Sequence, residues 1–312
     1  VLAFLRKAQT GGLRAAIAAG ERDFALASVR QRAGARPLLE SLSVHELPEA
    51  GAAQAVGSLL QQRKLSSAAL SAVAGINDYQ LVQVEAPEVL PSELRAAVRW
   101  RLRDIVHFDV EDAVVDVFEV PEAARRNQAK MVYAVVARKP AVQRLTNLVD
   151  GSAKGLDVID IPELCLRNLA LLLPQESATA MLALSTHFAQ LIVMRNGILY
   201  LARRIDFHRR APNFHQPGES GGIDASAIAL ELQRSLDYYE SHFDQPAITN
   251  LLLAPTHERA LELKTSLGQE MNLKVASLEL ESVLELAPGV QPPATWLSLV
   301  AIGAALRTDI QS

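Results

Sequence analysis

The sequence has a single cysteine, Cys165, set in the apolar run from Leu164 to Leu173. That excludes an intrachain disulfide and any zinc site built from several thiolates, and it fits a reducing compartment. Aromatic residues are scarce, at 5% of the 312 positions, so an aromatic-rich β-sandwich core is not expected. Positive charge is not in excess either: 31 Lys and Arg stand against 35 Asp and Glu, a formal net charge of −4. A nucleic-acid-binding domain wants a broad basic surface, and this composition offers none. No apolar stretch reaches the roughly 20 residues that a membrane-crossing helix needs. The longest candidate, Trp296 to Leu306, contains Ser298 and Gly303, runs into Arg307, and reads as a buried helix. The opening, Val1 to Thr10, carries Arg6 and Lys7 without the hydrophobic region of a signal peptide. There is also no Gly-x-x-x-x-Gly-Lys-Ser/Thr loop and no His-Glu-x-x-His pair, which removes the commonest phosphate and zinc motifs.

What the chain does have is 49% hydrophobic residues, chiefly Ala, Leu and Val, over a length that suits two domains. Its first segment reads as strands at Leu13–Ala19, Phe24–Val29 and Pro37–Val44, punctuated by Gly20 and Gly34. A helix at Ala52–Arg63 follows, then strands at Ala68–Ala74 and Leu81–Val84. A distinct unit begins near Leu90: Ser92 is placed to cap a helix whose Leu94, Val98, Leu102 and Ile105 recur at helical spacing. Arg95, Arg99, Arg101 and Arg103 fall on its other face, and strands follow at Val114–Val120 and Met131–Val136. A helix from Pro140 to Leu148, a strand at Leu156–Ile161 and a helix at Pro162–Leu173 end the half.

From Ala180 the opening pattern returns, with strands at Ala180–Ser185, Gln190–Met194 and Ile198–Ile205 and an Asn196-Gly197 hairpin turn. A long helix from Asp224 to about His242 presents Ala225, Ile228, Leu232, Leu236, Tyr239 and Phe243 as one apolar stripe. A strand at Ile248–Leu253, a helix at His257–Gly268 and a strand at Leu273–Ser277 complete the repeat. Three antiparallel strands, a helix and a further strand, occurring twice, predict duplicated ribonuclease-H-like halves: the α/β, two-lobed layout of the actin and Hsp70 superfamily.

Several segments in this order resemble the PilM family, and within it the MshI proteins of mannose-sensitive haemagglutinin-type pili. They are Leu90-Pro-Ser-Glu-Leu through Ile105-Val-His-Phe-Asp109, with His107 at the family's usual proline, and then Ala113 to Glu119. Val135 to Lys139, Gly155 to Glu163 leading into Asn168, Leu230 to Tyr239 and the closing Ala301-Ile-Gly-Ala-Ala-Leu-Arg307 extend the match over nearly the whole chain. The resemblance implies an actin-like first lobe over 1–177, with a subdomain of the 1C type inserted at about 90–136. A second lobe would cover 178–312, its last helix, 294–307, packing back toward the core.

Relatives with a working nucleotide site hold Mg-nucleotide with an Asp and a Gly on each of two hairpins, and let the backbone approach adenosine at a later Gly-Gly turn. A hard cation wants oxygen ligands, and glycines expose N–H groups to phosphate. In this chain the matching positions are Ala18 and Gly20, then Ala183 and Ser185, then Ala254 and Pro255. The carboxylates are gone, and Pro255 removes a donor where close approach is needed. The expectation is a protein without ATPase activity, without a bound cofactor or metal, and with no catalytic residues. His107, Asp109, Glu111 and Asp112 read as a solvated acidic loop, and Arg203, Arg204, His208, Arg209, Arg210 and His215 as an exposed basic one.

The family resemblance further implies a cytoplasmic scaffold of a type IV pilus platform, peripheral to the inner membrane. Its partner would be the N-terminal tail of a PilN-like single-span protein, with the motor ATPase, the platform protein or a second copy as further contacts. Trp100, Phe108 and Arg138 are the candidate lining of the tail groove, beside the Arg-bearing helix and the Val114–Val120 strand; the alternative for Trp100 and Phe108 is packing within the subdomain. Two other readings stand beside this one: an ATP-binding switch, and a GspL-like cytoplasmic module of type II secretion, which a membrane span after Ser312 would favour.

Overall fold

The computed structural model describes residues 12–121, 129–149, 155–174, 177–207, 224–254 and 260–308. The first half runs β1 (Leu13–Ala19), β2 (Asp23–Arg30), β3 (Leu38–Glu46), α1 (Ala52–Gln62), β4 (Ala69–Val73), β5 (Tyr79–Glu85), α2 (Leu94–Arg101), β6 (Ala113–Glu119), β7 (Met131–Arg138), α3 (Lys139–Leu148), β8 (Val158–Asp160) and α4 (Pro162–Ala170). The second runs β9 (Thr179–Leu184), β10 (Phe188–Arg195), β11 (Ile198–Asp206), α5 (Ala225–Phe243), β12 (Asn250–Ala254), α6 (Ala260–Glu270), β13 (Lys274–Ser277), β14 (Glu285–Leu286) and α7 (Trp296–Ala305).

The duplication is explicit in the strand order. One sheet reads β14-β3-β2-β1-β4-β8 and the other β11-β10-β9-β12-β13, so β3-β2-β1-β4-β8 repeats as β11-β10-β9-β12-β13. In both, the first three strands are antiparallel and the last two are parallel to the first. Among the described residues α6 alone lies between β12 and β13, whereas between β4 and β8 lie β5, α2, β6, β7 and α3. Taking α3 as the counterpart of α6 leaves residues 79–138 as the insertion, a separate sheet of order β5-β7-β6. The unit therefore starts earlier than the expected residue 90. A strand's partner is set by backbone pairing across the fold, and β5 pairs with β7 along its full length.

Small residues explain how the halves join. Along β1, Ala15 and Ile17 face α1 in one core, while Ala16 and Ala18 face the other core with Ala25 and Ala27 of β2. That alanine floor receives α7, which packs on β1, β2 and β4 although it belongs to the second half. The first half's closing helix, α4, packs in turn on β9, β10 and β11. The two closing helices thus exchange lobes, and they cross at Gly303. An added Cβ there would lie 2.2 Å from the Cys165 carbonyl oxygen, so only glycine permits this approach. Asn168 Nδ2 donates to the Gly303 carbonyl at 3.0 Å, and the buried Arg307 Nη1 donates to Asp160 Oδ2 at 2.8 Å. The stretch after β13 is shared as well: β14 adds to the edge of the first sheet beside β3.

Candidate functional site

Both sheets present a hairpin at the same point of the repeat, and α7 begins between them. At the first, Ala18 is buried and Gly20 N–H donates to the Asp23 carbonyl at 2.8 Å. An added Cβ at Gly20 would meet Asp23 Oδ1 at 2.6 Å and Leu297 Cδ1 at 3.1 Å, so the hairpin tip is already filled by these two side chains. The motif spacing does not point to Asp23, which stands five residues beyond the expected carboxylate position; in space it leaves an acid against the surviving glycine. At the second hairpin, Ser185 N–H donates to the Phe188 carbonyl at 2.8 Å. The Phe188 ring meets Trp296 edge to face at 5.0 Å and carries the Arg204 guanidinium 4.7 Å from its centroid. Ala183 pairs with both Gln190 and Ala254, and all three are buried. Pro255 lies outside the described residues.

A helix N-terminus between two hairpins has the polarity that favours an anion. Here the first turn of α7 brings Trp296 and Leu297 to the two hairpins, beneath a cap in which Thr295 Oγ1 accepts from Ser298 N–H at 3.2 Å. Apolar side chains therefore stand where the hairpins converge.

The inserted unit carries the other candidates. Its outer face is α2, whose Val98 and Leu102 are buried against Val132, Ala134 and Val136 of β7. Ser92 does not cap α2: the cap position is Glu93, without a side-chain bond, because Leu90 O already accepts from Glu93 and Leu94 N–H in a preceding turn. The α-helix ends at Arg101 and tightens into a 3-10 turn over Leu102–Asp104. The arginines of this helix are clamps of the unit itself. Arg95 pairs with Asp116 at 3.3 Å, Arg99 donates to the Val110 carbonyl at 2.8 Å, Arg101 meets Glu85 at 2.9 Å and Arg103 meets Glu111 at 3.0 Å. The acidic loop is likewise internal: Asp109 Oδ1 accepts from Glu111 N–H at 2.9 Å, and Lys139 lies 3.9 Å from Asp112.

Phe108 and Arg138 come together, the guanidinium 4.8 Å from the ring centroid, at the junction of β7 and α3. Trp100 is 64% exposed and stacked by Arg103 at 3.8 Å, so it is not part of the subdomain core. The β6 edge is partly closed by its own chain, since Ala113 O accepts from Arg99 Nη1 at 3.3 Å and Val117 N–H donates to Asp116 Oδ1 at 2.9 Å. Burial pushes the Asp116 carboxyl up to about 6, against the Val117 bond and the Arg95 and Arg307 charges. Its Oδ2 has no hydrogen-bond partner among the described residues. Burial also raises Glu163, which accepts a hydrogen bond from the Tyr79 hydroxyl. Of the basic region only Arg203 and Arg204 are described. Arg204 pairs with Asp206 at 2.6 Å and reaches Asn77 of the first half at 3.3 Å; His208, Arg209, Arg210 and His215 lie outside the described residues.

No protein-family model matches the chain, and no curated protein sequence matches it. Solved structures do, and they agree with the strand orders: the protein has the actin-like fold, two lobes built from duplicated sheets with a subdomain inserted in the first. A Bacteroides thetaiotaomicron protein with an actin-like ATPase fold and unknown function is similar over 89% of this chain and 94% of its own, at 10% identity and a TM-score of 0.50. More particularly, the chain is similar to one from the PilM-PilN type IV pilus biogenesis complex, at 17% identity and a TM-score of 0.68. That match covers 96% of this chain and 99% of the other. The cytoplasmic domain of EpsL, an inner membrane component of the type II secretion system of Vibrio cholerae, matches at 12% identity and a TM-score of 0.49. No helix among the described residues is long and apolar enough to cross a membrane.

Proposed function

We propose that this chain is a non-enzymatic adaptor of a type IV pilus assembly platform, of the MSHA kind, working at the cytoplasmic face of the inner membrane. It would receive the N-terminal tail of a PilN-like single-span protein on the inserted unit. The observation that carries this reading is the match in fold, over 96% of this chain and 99% of the other, to a chain of the PilM-PilN type IV pilus biogenesis complex. The apolar first turn of α7 between the two hairpins supports the absence of an ATPase cycle, as do Ala18 and Ser185 at the positions of the lost motif residues. Phe108 and Arg138 are the proposed recognition pair: a ring with a guanidinium over it offers an apolar wall and a fixed donor side by side. An extended tail gains specificity from such pockets more than from a strand edge as capped as β6.

The test is titration of a labelled tail peptide from the partner against wild type and a Phe108→Ala, Arg138→Glu double variant. The double variant is expected to lose at least about tenfold in affinity, some 1.4 kcal/mol, while keeping its circular dichroism. Equal binding by both forms would move the groove elsewhere. Failure of the wild type to bind the tail or to co-purify with the full-length membrane partner would end the adaptor reading. One observation favours a second reading, the ATP-binding switch: Asp23 keeps a carboxylate beside Gly20 at the first hairpin.

A further inference from the structure

The inserted unit is joined to the rest of the chain at one end. The chain enters through residues 74–78 and leaves at Arg138, where α3 begins, and the two crossings are neighbours because Tyr79 pairs with Ala137. That end is firmly fixed. The Tyr79 hydroxyl donates to Glu163 of α4, Asp78 pairs with Arg144 of α3 at 2.6 Å, and Lys139 Nζ donates to the Glu111 carbonyl at 2.6 Å. Alternation along the sheet puts Tyr79, Leu81, Tyr133 and Phe118 on the face turned toward the main core, opposite the face that holds α2. At the far end the hold passes through a side chain. Tyr133 Oη donates to the Tyr200 carbonyl at 3.3 Å, longer than the roughly 2.5–3.0 Å usual for a hydroxyl donor, and the Ala202 backbone stands beside it.

What Tyr133 holds is a bulge. On β11 the register passes from Val193–Leu201 to Met194–Leu199 and leaves Tyr200 unpaired, its ring packed on Tyr239 and Phe243. The duplicated sheet has a bulge at the same place: the register of β3 leaves out Glu40, which like Tyr200 is the third residue of its strand. There the outer edge is closed by main chain, for β14 pairs with Leu38 and Leu39, and Ala287 N–H donates to the Leu39 carbonyl at 3.0 Å. The equivalent edge of β11 has no strand beside it among the described residues, and the Tyr133 hydroxyl takes that place. An open strand edge invites pairing with another chain, so a cover has a use. A cover that ends in one long hydrogen bond, on a sheet anchored at its other end, can lift without breaking the sheet. We propose that the inserted unit is a hinged arm: it rocks on the base fixed by Tyr79 and Glu163, and the Tyr133–Tyr200 bond is the catch that closes its tip over β11. The closed arm is the major state, because opening uncovers Tyr133, which is 3% exposed.

Thiol labelling reads such a rare opening. Val135→Cys places a thiol on the covered face, two residues from Tyr133, while native Cys165, fully buried at the α4–α7 crossing, reports global unfolding in the same molecules. Val120→Cys, buried just past β6, is the second reporter if Val135→Cys does not fold. With labelled peptides separated by mass, the introduced thiol should react at least about tenfold faster than Cys165, as a sub-global opening requires. Tyr133→Phe keeps the ring and removes the donor, and should speed the introduced thiol by about threefold or more. Asp224→Ala removes the cap of α5, at the opposite end of that helix from Tyr239 and Phe243, and lowers global stability. It should speed Cys165 by about threefold or more and leave the introduced thiol unchanged. Equal rates for the two thiols, no response to Tyr133→Phe, or an Asp224→Ala effect shared by both thiols would each overturn the proposal.

Discussion

Asp116 is the residue whose position costs the fold most visibly. It sits on β6 with one carboxylate oxygen bonded to Val117 N–H and near Arg95, and the other unpartnered. Burial raises its carboxyl from the ordinary 3.8 to about 6. Between those values the folded chain holds a proton that the unfolded chain releases, so the contribution of Asp116 to stability falls as pH rises through about 4 to 6 and is level above that. Glu163, raised by burial in the same direction, adds to the same slope. Asp116→Asn keeps the Val117 acceptor and removes the charge. It should stabilise the protein by about 1 kcal/mol at pH 7.5, where the carboxylate is ionised, and give little at pH 4. Thermal melts across that range would check it: the variant's advantage must grow with pH, and an equal shift at every pH would mean that charge is not the cause.

The crossing of α4 and α7 is the element on which the joined lobes depend. Ser298 to Ala305 of α7 are all buried, and the alanine floor of β1 and β2 lets the helix lie close. Gly303→Ala would place a methyl 2.2 Å from the Cys165 carbonyl oxygen and 2.6 Å from its carbonyl carbon. Neither atom is a flexible side-chain end, so the helices must separate, stretching the Asn168 bond and the Arg307–Asp160 pair with them. A loss of 3 kcal/mol or more is expected, which for a chain of this size lowers the melting temperature by on the order of 10 °C. Gly268→Ala in α6 is the control. Nothing lies within 4 Å of its added Cβ, and replacing a helical glycine should stabilise slightly, by about 0.5 kcal/mol. If the two variants melt alike, the crossing is not as tight as the geometry requires.

At the scale of the molecule, each half lends its closing helix to the other, and further bonds run between the halves: Tyr133 Oη donates to the Tyr200 carbonyl at 3.3 Å and Arg204 reaches Asn77. In such a fold a nucleotide between the hairpins would couple the lobes. This chain sets Leu297, Trp296 and Phe188 there, which suits a lobe arrangement held by packing. Calorimetry with Mg-ATP should therefore find no saturable heat up to about 1 mM, and ATP should not raise the melting temperature, whereas a ligand at a hundred times its Kd adds about 2.7 kcal/mol. Saturable binding at low micromolar concentration would favour the switch reading, with Asp23 as the carboxylate to mutate first.

Local periodicity determined a large share of this protein. Short apolar runs bounded by turn residues placed β1, β2 and β3 and their counterparts, the stripe from Ala225 to Phe243 became α5 under an Asp224 cap, and Asn196 and Gly197 adopt the positive φ values of 52° and 79° that their turn demands. Each of these depends on neighbours in the chain, so the sequence carries them openly. It also carried the duplication, because two halves with the same order of elements can be compared element against element. Tertiary structure decided the rest. It paired β5 with β7 and sent β14 to the first sheet, since a strand's pattern says which side is buried and not which strand lies beside it. It gave each arginine of α2 a partner within the inserted unit and turned Trp100 outward. It brought Asp23 and Leu297 to Gly20 from positions that no spacing rule connects, and it made Gly303 indispensable only because Cys165, far away in the chain, crosses above it. Helical spacing tells a residue's face; what covers that face is settled only when the whole chain has closed.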